Sequence, residues 1–538
     1  MRTITRTQHL GEAGLAHLRL PLDDLLREES DGPDRWICGE GPFDHYVRTI
    51  EVGEPDADGL HIITETVEFE LAIPLWRRLF QPLVTKAIHR RGQTAEAADR
   101  LAEAARDGSG PQPPGPDDEA EVVDRPPWWS PPDRLDARAS RVLSMLCGMA
   151  LLTGYLGALV TQTITFAADQ FGASKAAQGS ALAAARTGVL VSLIIMTIAD
   201  RRGRQRLIVV CAVAGSLAAA TGALAPTLLV LGFTQFWSRA FGTALTLLIA
   251  VVAAEEMPAG GRAYAASVIA MTGALGAGGA VLLLPLADTG TNGWRILYLA
   301  PLVTLPFFAR LARRIPESRR FTKPHGKATM AGHRGRLLLL GASTFFGLLF
   351  LAPVTQFQND YLRDEHGFSA LGLSIFTICT NTPAGIGIVV GGRLADVRGR
   401  RIVGAVGTAG GASLLALAFN VGGPALWLAW VFGAMVAAAT VPALAVYGPE
   451  LFPTALRGRA NAIITLTGVL GGVVGLNVAG RLGDHWGRLG PGLALLGVGP
   501  LIVSAMVIVL YPETAHVELE DLNPEDAALI AAPSAYLP

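Results

Sequence analysis

Two arginines, Arg186 and Arg239, stand inside long apolar runs of the chain. A guanidinium near the middle of a bilayer costs about 2.5–3.5 kcal/mol even on the mildest insertion scale, so it needs a partner or a task. Arg186 precedes Asp200 by fourteen residues and Arg239 precedes Glu255 by sixteen. At ~1.5 Å per helical residue these separations are about 21 Å and about 24 Å, a similar depth for both. No acid shares that depth, because Asp169 and Asp288 fall near the ends of their runs. The chemistry open to such a pair is the grip of an anion, since a guanidinium matches a carboxylate through two parallel hydrogen bonds. The competing reading is structural, with both side chains bonding backbone carbonyls or snorkelling to the outer interface.

Uncharged groups supply the remaining candidates for a solute site: Tyr155, Thr161, Gln162, Gln235, Gln356, Gln358, Asn359, Asn381, Trp427 and Trp430. Polar side chains within membranes more often join helix to helix, so each taken singly favours packing. Gln356, Gln358 and Asn359 rise above that, because three amides at one helix end offer donors and acceptors together. A proton carrier would need a carboxylate or histidine whose pKa burial can raise, and none lies deep in an apolar run. Asp169, Glu255 and Asp360 stand only near the ends. Four scattered cysteines, with no metal-ligand spacing, nucleophile motif or phosphate loop, argue against an enzyme and predict no cofactor or metal.

The elements that must position these groups are membrane spans. Hydrophobic residues make up 51% of the chain and charged ones 17%, where a soluble domain carries about 25%. From Arg141 onward the apolar runs each approach the ~20 residues that cross a bilayer. Twelve are expected, near 141–164, 176–199, 206–225, 228–253, 262–286, 293–312, 337–357, 370–394, 402–420, 424–448, 459–481 and 490–511. The net charge of -1 gives no field for nucleic acid, and the expected partners are the lipid bilayer, a small solute and a co-transported proton. Arginines crowd alternate loops, which puts those loops and both termini in the cytoplasm of a plasma-membrane protein.

The loops also repeat. Asp200-Arg201-Arg202-Gly203-Arg204 returns as Asp396-Val397-Arg398-Gly399-Arg400, an offset of 196 residues. Glu255-x-x-Pro258-x-x-x-Arg262 returns as Glu450-x-x-Pro453-x-x-x-Arg457, and Pro316-Glu317-Ser318 as Pro512-Glu513-Thr514. Three motifs recurring at spacings of 195 or 196 residues mean that a six-span unit was used twice. Chemically, Asp200 and Asp396 can sit against the positive end of a neighbouring helix, with Arg204, Arg262, Arg400 and Arg457 facing Glu255 and Glu450. Such a cluster locks one face shut until its partners separate.

Residues 1–107 are a polar domain expected to be small, α+β and cytoplasmic. Tyr46 to Val52 and His61 to Ile73 read as a hairpin, followed by a helical stripe through Leu75, Trp76, Leu79, Phe80, Leu83, Val84, Ala87 and Ile88. The pattern resembles the closing part of a helix-grip, START-like domain. Residues 108–135 form a Pro- and Asp-rich linker, across which few packed contacts are expected. The first six-span half then covers 136–322, a cytoplasmic linker 323–336, the second half 337–516 and a tail 517–538.

From the repeated Ala-Asp-x-Arg-Gly-Arg loops, Arg239-x-x-Gly242, Trp294-Arg295 and Glu450-Leu451-Phe452-Pro453, the chain resembles the major facilitator superfamily. Pro316-Glu317-Ser318-Arg319-Arg320 and Pro512-Glu513-Thr514 resemble its sugar and metabolite porter branch. The resemblance implies an all-α integral membrane fold of twelve helices in two six-helix pseudo-repeats. Spans one, four, seven and ten would then line a central cavity through which a small polar metabolite, sugar or organic acid, moves by alternating access. An exporter of amphipathic compounds is the first alternative, disfavoured because Gly273, Gly276, Gly278 and Gly279 echo the exporter motif only in part. A non-transporting sensor is the second. Proton-coupled porters of this kind often carry Gly-Tyr-Asp in span one, whereas this chain reads Gly154-Tyr155-Leu156, so proton symport has no carrier at the usual place.

Overall fold

A computed structural model describes residues 1–23, 26–55, 60–106, 134–258, 262–316, 330–444, 447, 451–452 and 456–513. The chain divides into two compact units. One contains Met1–Ala150, Ile249–Thr272 and Leu311–Arg319, and the other Leu151–Leu248, Gly273–Arg310 and Arg320–Pro538.

The first unit begins with an antiparallel sheet of five strands in the order β1-β5-β4-β3-β2. Its strands are β1 (Arg2–Leu10), β2 (Arg27–Ser30), β3 (Arg35–Glu40), β4 (Phe43–Pro55) and β5 (His61–Leu71). The expected hairpin is the β4–β5 pair, in register from Phe43 opposite Leu71. The flanking strands are shorter or more polar, which hid them from a reading by alternation. β5 alternates buried and half-buried residues from Ile63 to Leu71, as a strand with one face on a core must. Two helices, α1 (Glu12–Arg19) and α2 (Arg77–Arg106), complete the domain. Asp99 on α2 accepts from the backbone N–H of Gly11 (2.7 Å) and Gly14 (2.5 Å), capping the first turn of α1. The stripe on α2 divides: Val84 and Ile88 pack under the sheet, while Leu79, Phe80 and Leu83 are exposed.

Contrary to the expectation of few contacts across the linker, the turn before α2 packs on the membrane helices of the same unit. Trp76 packs against a cluster of Leu135, Ala139, Leu143 and Cys147, at and before the start of α3 (Ala137–Phe171), and Ala265 on α8 (Arg262–Leu283), which Tyr264 and Val268 also cover. Its indole N–H donates to the carbonyl of Ser144 at 3.3 Å. Arg141 bonds Asp44, and Arg138 pairs with Glu256 at 3.0 Å.

Other helices of the membrane part are α4 (Lys175–Thr187), α5 (Val189–Arg202), α6 (Arg204–Thr221), α7 (Leu228–Glu256) and α9 (Trp294–Arg314). After them come α10 (Arg334–Gln356), α11 (Ala370–Asn381), α12 (Ala384–Arg398), α13 (Arg400–Ala418), α14 (Gly423–Ala438), α15 (Arg457–Trp486), α16 (Leu489–Leu496) and α17 (Val498–Leu510). Among the described residues eleven segments are long and apolar enough to cross a membrane, and Gly423–Ala438 is a shorter twelfth. Spans two and eight, expected as continuous helices, are broken at Gly188 and at Thr382-Pro383, and span ten bends at Ala439.

The duplication seen in the motifs is repeated in the backbone. Gly203 (φ 92°, ψ 146°) and Gly399 (φ 94°, ψ 144°) adopt the same conformation, one that glycine alone adopts readily. Close helix contacts recur as well. A Cβ on Gly276 would come within 2.0 Å of the Leu151 carbonyl, and one on Gly471 within 2.2 Å of the Phe345 carbonyl. Of the span-five glycines, Gly276 therefore serves close helix packing, whereas nothing lies within 4 Å of a Cβ on Gly278.

Candidate functional site

Four candidate residues meet at one recess. Arg186 at the end of α4, Gln235 and Arg239 on α7 and Gln356 at the end of α10 line it, with Leu156, Val160, Leu182 and Ala185 as its apolar walls, around a cavity with room for about one water molecule. Gln235 and Arg239 are four residues apart, so the helix stacks them on one face. Arg186 is brought beside them by the joint at Gly188, where an added Cβ would stand 2.3 Å from the Phe236 carbonyl. Only the missing side chain lets α4 and α7 approach so closely.

The electrostatics of the recess are those of two like charges. Arg239 Nη1 donates to the carbonyl of Gly157 at 3.0 Å, a neutral acceptor. Nε of Arg186 is buried with no hydrogen-bond partner, and its charge is repelled by that of Arg239. Gln356 is held by Thr161, whose hydroxyl donates to Oε1 at 2.7 Å and leaves the amide N–H groups uncommitted by that bond. The arrangement is a concave, partly apolar surface with cationic donors converging on it, which is what an anionic solute requires.

Other candidates are held elsewhere. Gln162 accepts from Asn359 Nδ2 at 2.9 Å, a bond that ties α3 to the segment after α10. Gln358 donates to Thr377 at 3.3 Å, and Tyr155 donates to the Leu297 carbonyl at 2.7 Å. Trp430 packs between Phe376 and Phe419, and Asn381 is exposed at the break in span eight. Of the gating residues, Arg204 and Arg400 are half-buried. The side chains of Asp200, Glu255, Arg262, Asp396 and Arg457, and the whole of Glu450, lie outside the described residues. At the second loop it is Glu513, from the repeated Pro-Glu motif, that accepts from the backbone N–H of Arg400 (3.0 Å) and Arg401 (3.2 Å) at the start of α13.

A charged cluster lies at the end of the bundle away from the arginine loops. Lys175 Nζ reaches Asp360 at 2.9 Å and Asp364 at 3.3 Å, and Arg363 reaches Asp169 at 2.9 Å. Asp484 accepts from the backbone N–H of Lys175 (2.8 Å) and Ala176 (2.9 Å), and Asp288 from that of Ala370 (2.7 Å). Each of these bonds joins one six-helix half to the other. The available signal was the concentration of acids at Asp360, Asp364 and Glu365, whose partner Lys175 was legible only once the two halves were paired.

The profile of the Major Facilitator Superfamily matches residues 357–534. The cis,cis-muconate transport protein of Acinetobacter baylyi (strain ATCC 33305 / BD413 / ADP1) is 26% identical over 342 residues, 59% of this chain and 80% of that protein. Among solved structures, a bacterial homolog of the human lysosomal transporter Spinster, inward-facing and occupied, superposes with a TM-score of 0.59 at 16% identity over 73% of this chain and 99% of its own. The xylose transporter XylE from E. coli, inward open, gives 0.59 at 19% identity over 72% and 99%. These two likenesses speak for the fold. With the twice-used loop motifs and the helix count, these likenesses are those of a secondary transporter of small metabolites built on the major facilitator superfamily fold.

Proposed function

We propose that the transported metabolite is a small organic anion, gripped through its carboxylate by Arg239 and Arg186. The observation that carries this reading is the convergence of two guanidiniums on one recess whose other walls are Leu156, Val160, Leu182 and Ala185. Cationic forks suit carboxylates, and apolar walls suit a hydrocarbon body better than a ring of hydroxyls. A relative named for the transport of cis,cis-muconate supports the same class. In this reading the arginine loops and both termini face the cytoplasm of a plasma membrane, residues 1–107 form a cytoplasmic domain, and the repeated loops with Asp200, Glu255, Asp396 and Glu450 lock the inner face.

Uptake of cis,cis-muconate and of a neutral sugar by vesicles of the purified protein tests the proposal. Arg239→Lys keeps the charge and loses the planar fork, so the apparent KM for the acid should rise about tenfold, the equivalent of ~1.4 kcal/mol. Arg239→Gln should lose acid transport almost entirely. If both variants carry acid and sugar in the wild-type ratio, Arg239 is structural and the anion reading is wrong.

A further inference from the structure

Asp360 is fully buried at the end of the bundle away from the arginine loops, just beyond the last turn of α10. One carboxylate oxygen is 2.9 Å from Lys175 Nζ, and the other, Oδ1, is buried without a hydrogen-bond partner. The pair spans the two six-helix halves, with Lys175 opening α4 in the first and Asp360 in the second. A carboxylate brought from water to such a site loses its hydration, and one lysine shared with Asp364 offsets only part of that loss. A proton on the unpartnered oxygen offsets the rest.

We infer that Asp360 takes up the co-transported proton when the outer face closes, and that Lys175 becomes its counter-charge once that proton has left toward the recess. The inference rests on reading the chain as an anion transporter whose arginine loops face the cytoplasm. The step is a simple acid–base one: external hydronium gives its proton to the carboxylate, and the neutral acid later gives it to water on the cytoplasmic side. The moving proton also offsets the charge of an entering anion.

The position of Asp360 suits this role. Helical bonding continues past Phe357, whose N–H reaches Pro353 O and whose carbonyl accepts from Tyr361 N–H at 2.9 Å. Asp360 therefore stands about one turn, ~6 Å, beyond Gln356, past the irregular residue Phe357. Lys175, Gln178, Leu182 and Arg186 fall at helical spacing along α4. The face that holds Asp360 at one end thus holds the recess arginine at the other.

The other charged groups nearby are already engaged. Asp364 shares Lys175, Asp169 binds Arg363, and Arg363 also lies 3.9 Å from Asp288. Asp484 caps the start of α4, and Glu365 accepts from the N–H of Leu489, beside Arg488. His366 packs edge-on against Tyr361, and the Gln178 side chain on α4 faces Asp360 and favours its charged form, as Lys175 does. Burial pushes the Asp360 carboxyl above its ordinary range, against the pull of Lys175. By linkage, a group that holds its proton more tightly in the closed form favours closure as the pH falls.

The test is outward accessibility of the recess in whole cells. Val160→Cys, in a chain with Cys38, Cys147, Cys211 and Cys379 replaced, is labelled from outside by a membrane-impermeant maleimide. Labelling should fall on the order of tenfold as the external pH drops from about 8 to about 5. Asp360→Asn should be weakly labelled at every pH, Asp360→Glu should keep the dependence, and Asp169→Asn, Asp364→Asn and His366→Gln should leave it intact. If Asp360→Asn does not fold, Lys175→Gln should move the midpoint to higher pH. A pH dependence that survives Asp360→Asn, or an unmoved midpoint in Lys175→Gln, overturns the inference.

A second arm separates this inference from the substrate reading. In vesicles with an inward proton gradient, Asp360→Asn should lose accumulation of cis,cis-muconate yet keep exchange of labelled for unlabelled solute. Gradient-independent accumulation by the wild type, or wild-type accumulation by Asp360→Asn, sinks the proton site and leaves the anion reading standing. No muconate flux in the wild type sinks the anion reading, and the labelling arm still decides the role of Asp360.

Discussion

Arg48 and Arg239 show how donor counting separates a structural guanidinium from one available to a ligand. Arg48, buried in the N-terminal sheet, donates to Glu28 at 2.8 and 2.7 Å and to the carbonyls of Leu18 (2.8 Å) and Leu20 (3.3 Å), and lies 4.0 Å over the ring of Trp36. Its fork is occupied, so it ties α1 to the sheet. Arg239 makes one bond to a neutral carbonyl beside an open recess. Arg48→Met should strand Glu28 in the core and destabilise the domain by about 3–5 kcal/mol, seen as a lower melting temperature. Burial pushes the Glu28 carboxyl up, but hydrogen bonds and charge from Arg48 hold it below its ordinary 4.5 on balance. Its folded pKa is thus depressed, so its stabilisation is present above about pH 4.5 and is lost as the pH falls through the lower folded value. Thermal melts between about pH 6 and about pH 3 should show that loss in the wild type and a flatter profile in Glu28→Gln.

Among elements, the start of α13 shows what the repeated motifs do. Gly399 turns the chain at φ 94°, and Glu513 then receives the first free N–H groups of the helix. A helix N-terminus carries about half a positive charge, so a carboxylate is the natural cap. At this helix the acid comes from the distant Pro512-Glu513. Gly399→Ala would place a Cβ 2.7 Å from Glu513 Oε2 in a backbone region that disfavours side chains. That change should cost about 1–3 kcal/mol of strain. Its melting temperature in detergent should fall clearly, while Glu513→Gln, which keeps the acceptor and loses the charge, should fall less. Equal effects would assign the stabilisation to charge alone.

At the scale of the whole molecule, the N-terminal domain is more than an appendage. Trp76 fills a niche between α3 and α8 that its own turn delivers, and Arg138 pairs with Glu256 beside it. Removing residues up to Pro132 should still leave the twelve-span part inserted, because every span keeps its length and apolarity. The truncated protein should nevertheless melt at lower temperature, since apolar surface on Leu135, Ala139 and Leu143 loses its cover. Trp76→Ala, which removes a half-buried ring, should reproduce part of that drop, by about 1–3 kcal/mol. Identical melting of full-length, truncated and Trp76→Ala proteins would mean that the docked turn contributes nothing to stability.

Membrane class, number of spans, the duplication and the two intramembrane arginines were all legible in the sequence. Hydropathy runs and charge costs act locally along the chain, and an offset of 196 residues needs no coordinates to be seen. Three further strands beside the predicted hairpin were not legible, because short or polar strands carry weak alternation. Nor was the fate of the amides, since Gln356 reaches the recess while Gln358, two residues on, turns to Thr377. Which side of a helix end a residue faces depends on a break such as the one after Gln356, and on neighbours far away in sequence. The pairing of Lys175 with Asp360, 185 residues apart, belongs to the same class. Only the packing of one six-helix half on the other brings those charges together, and a desolvated pair derives its energy from that packing.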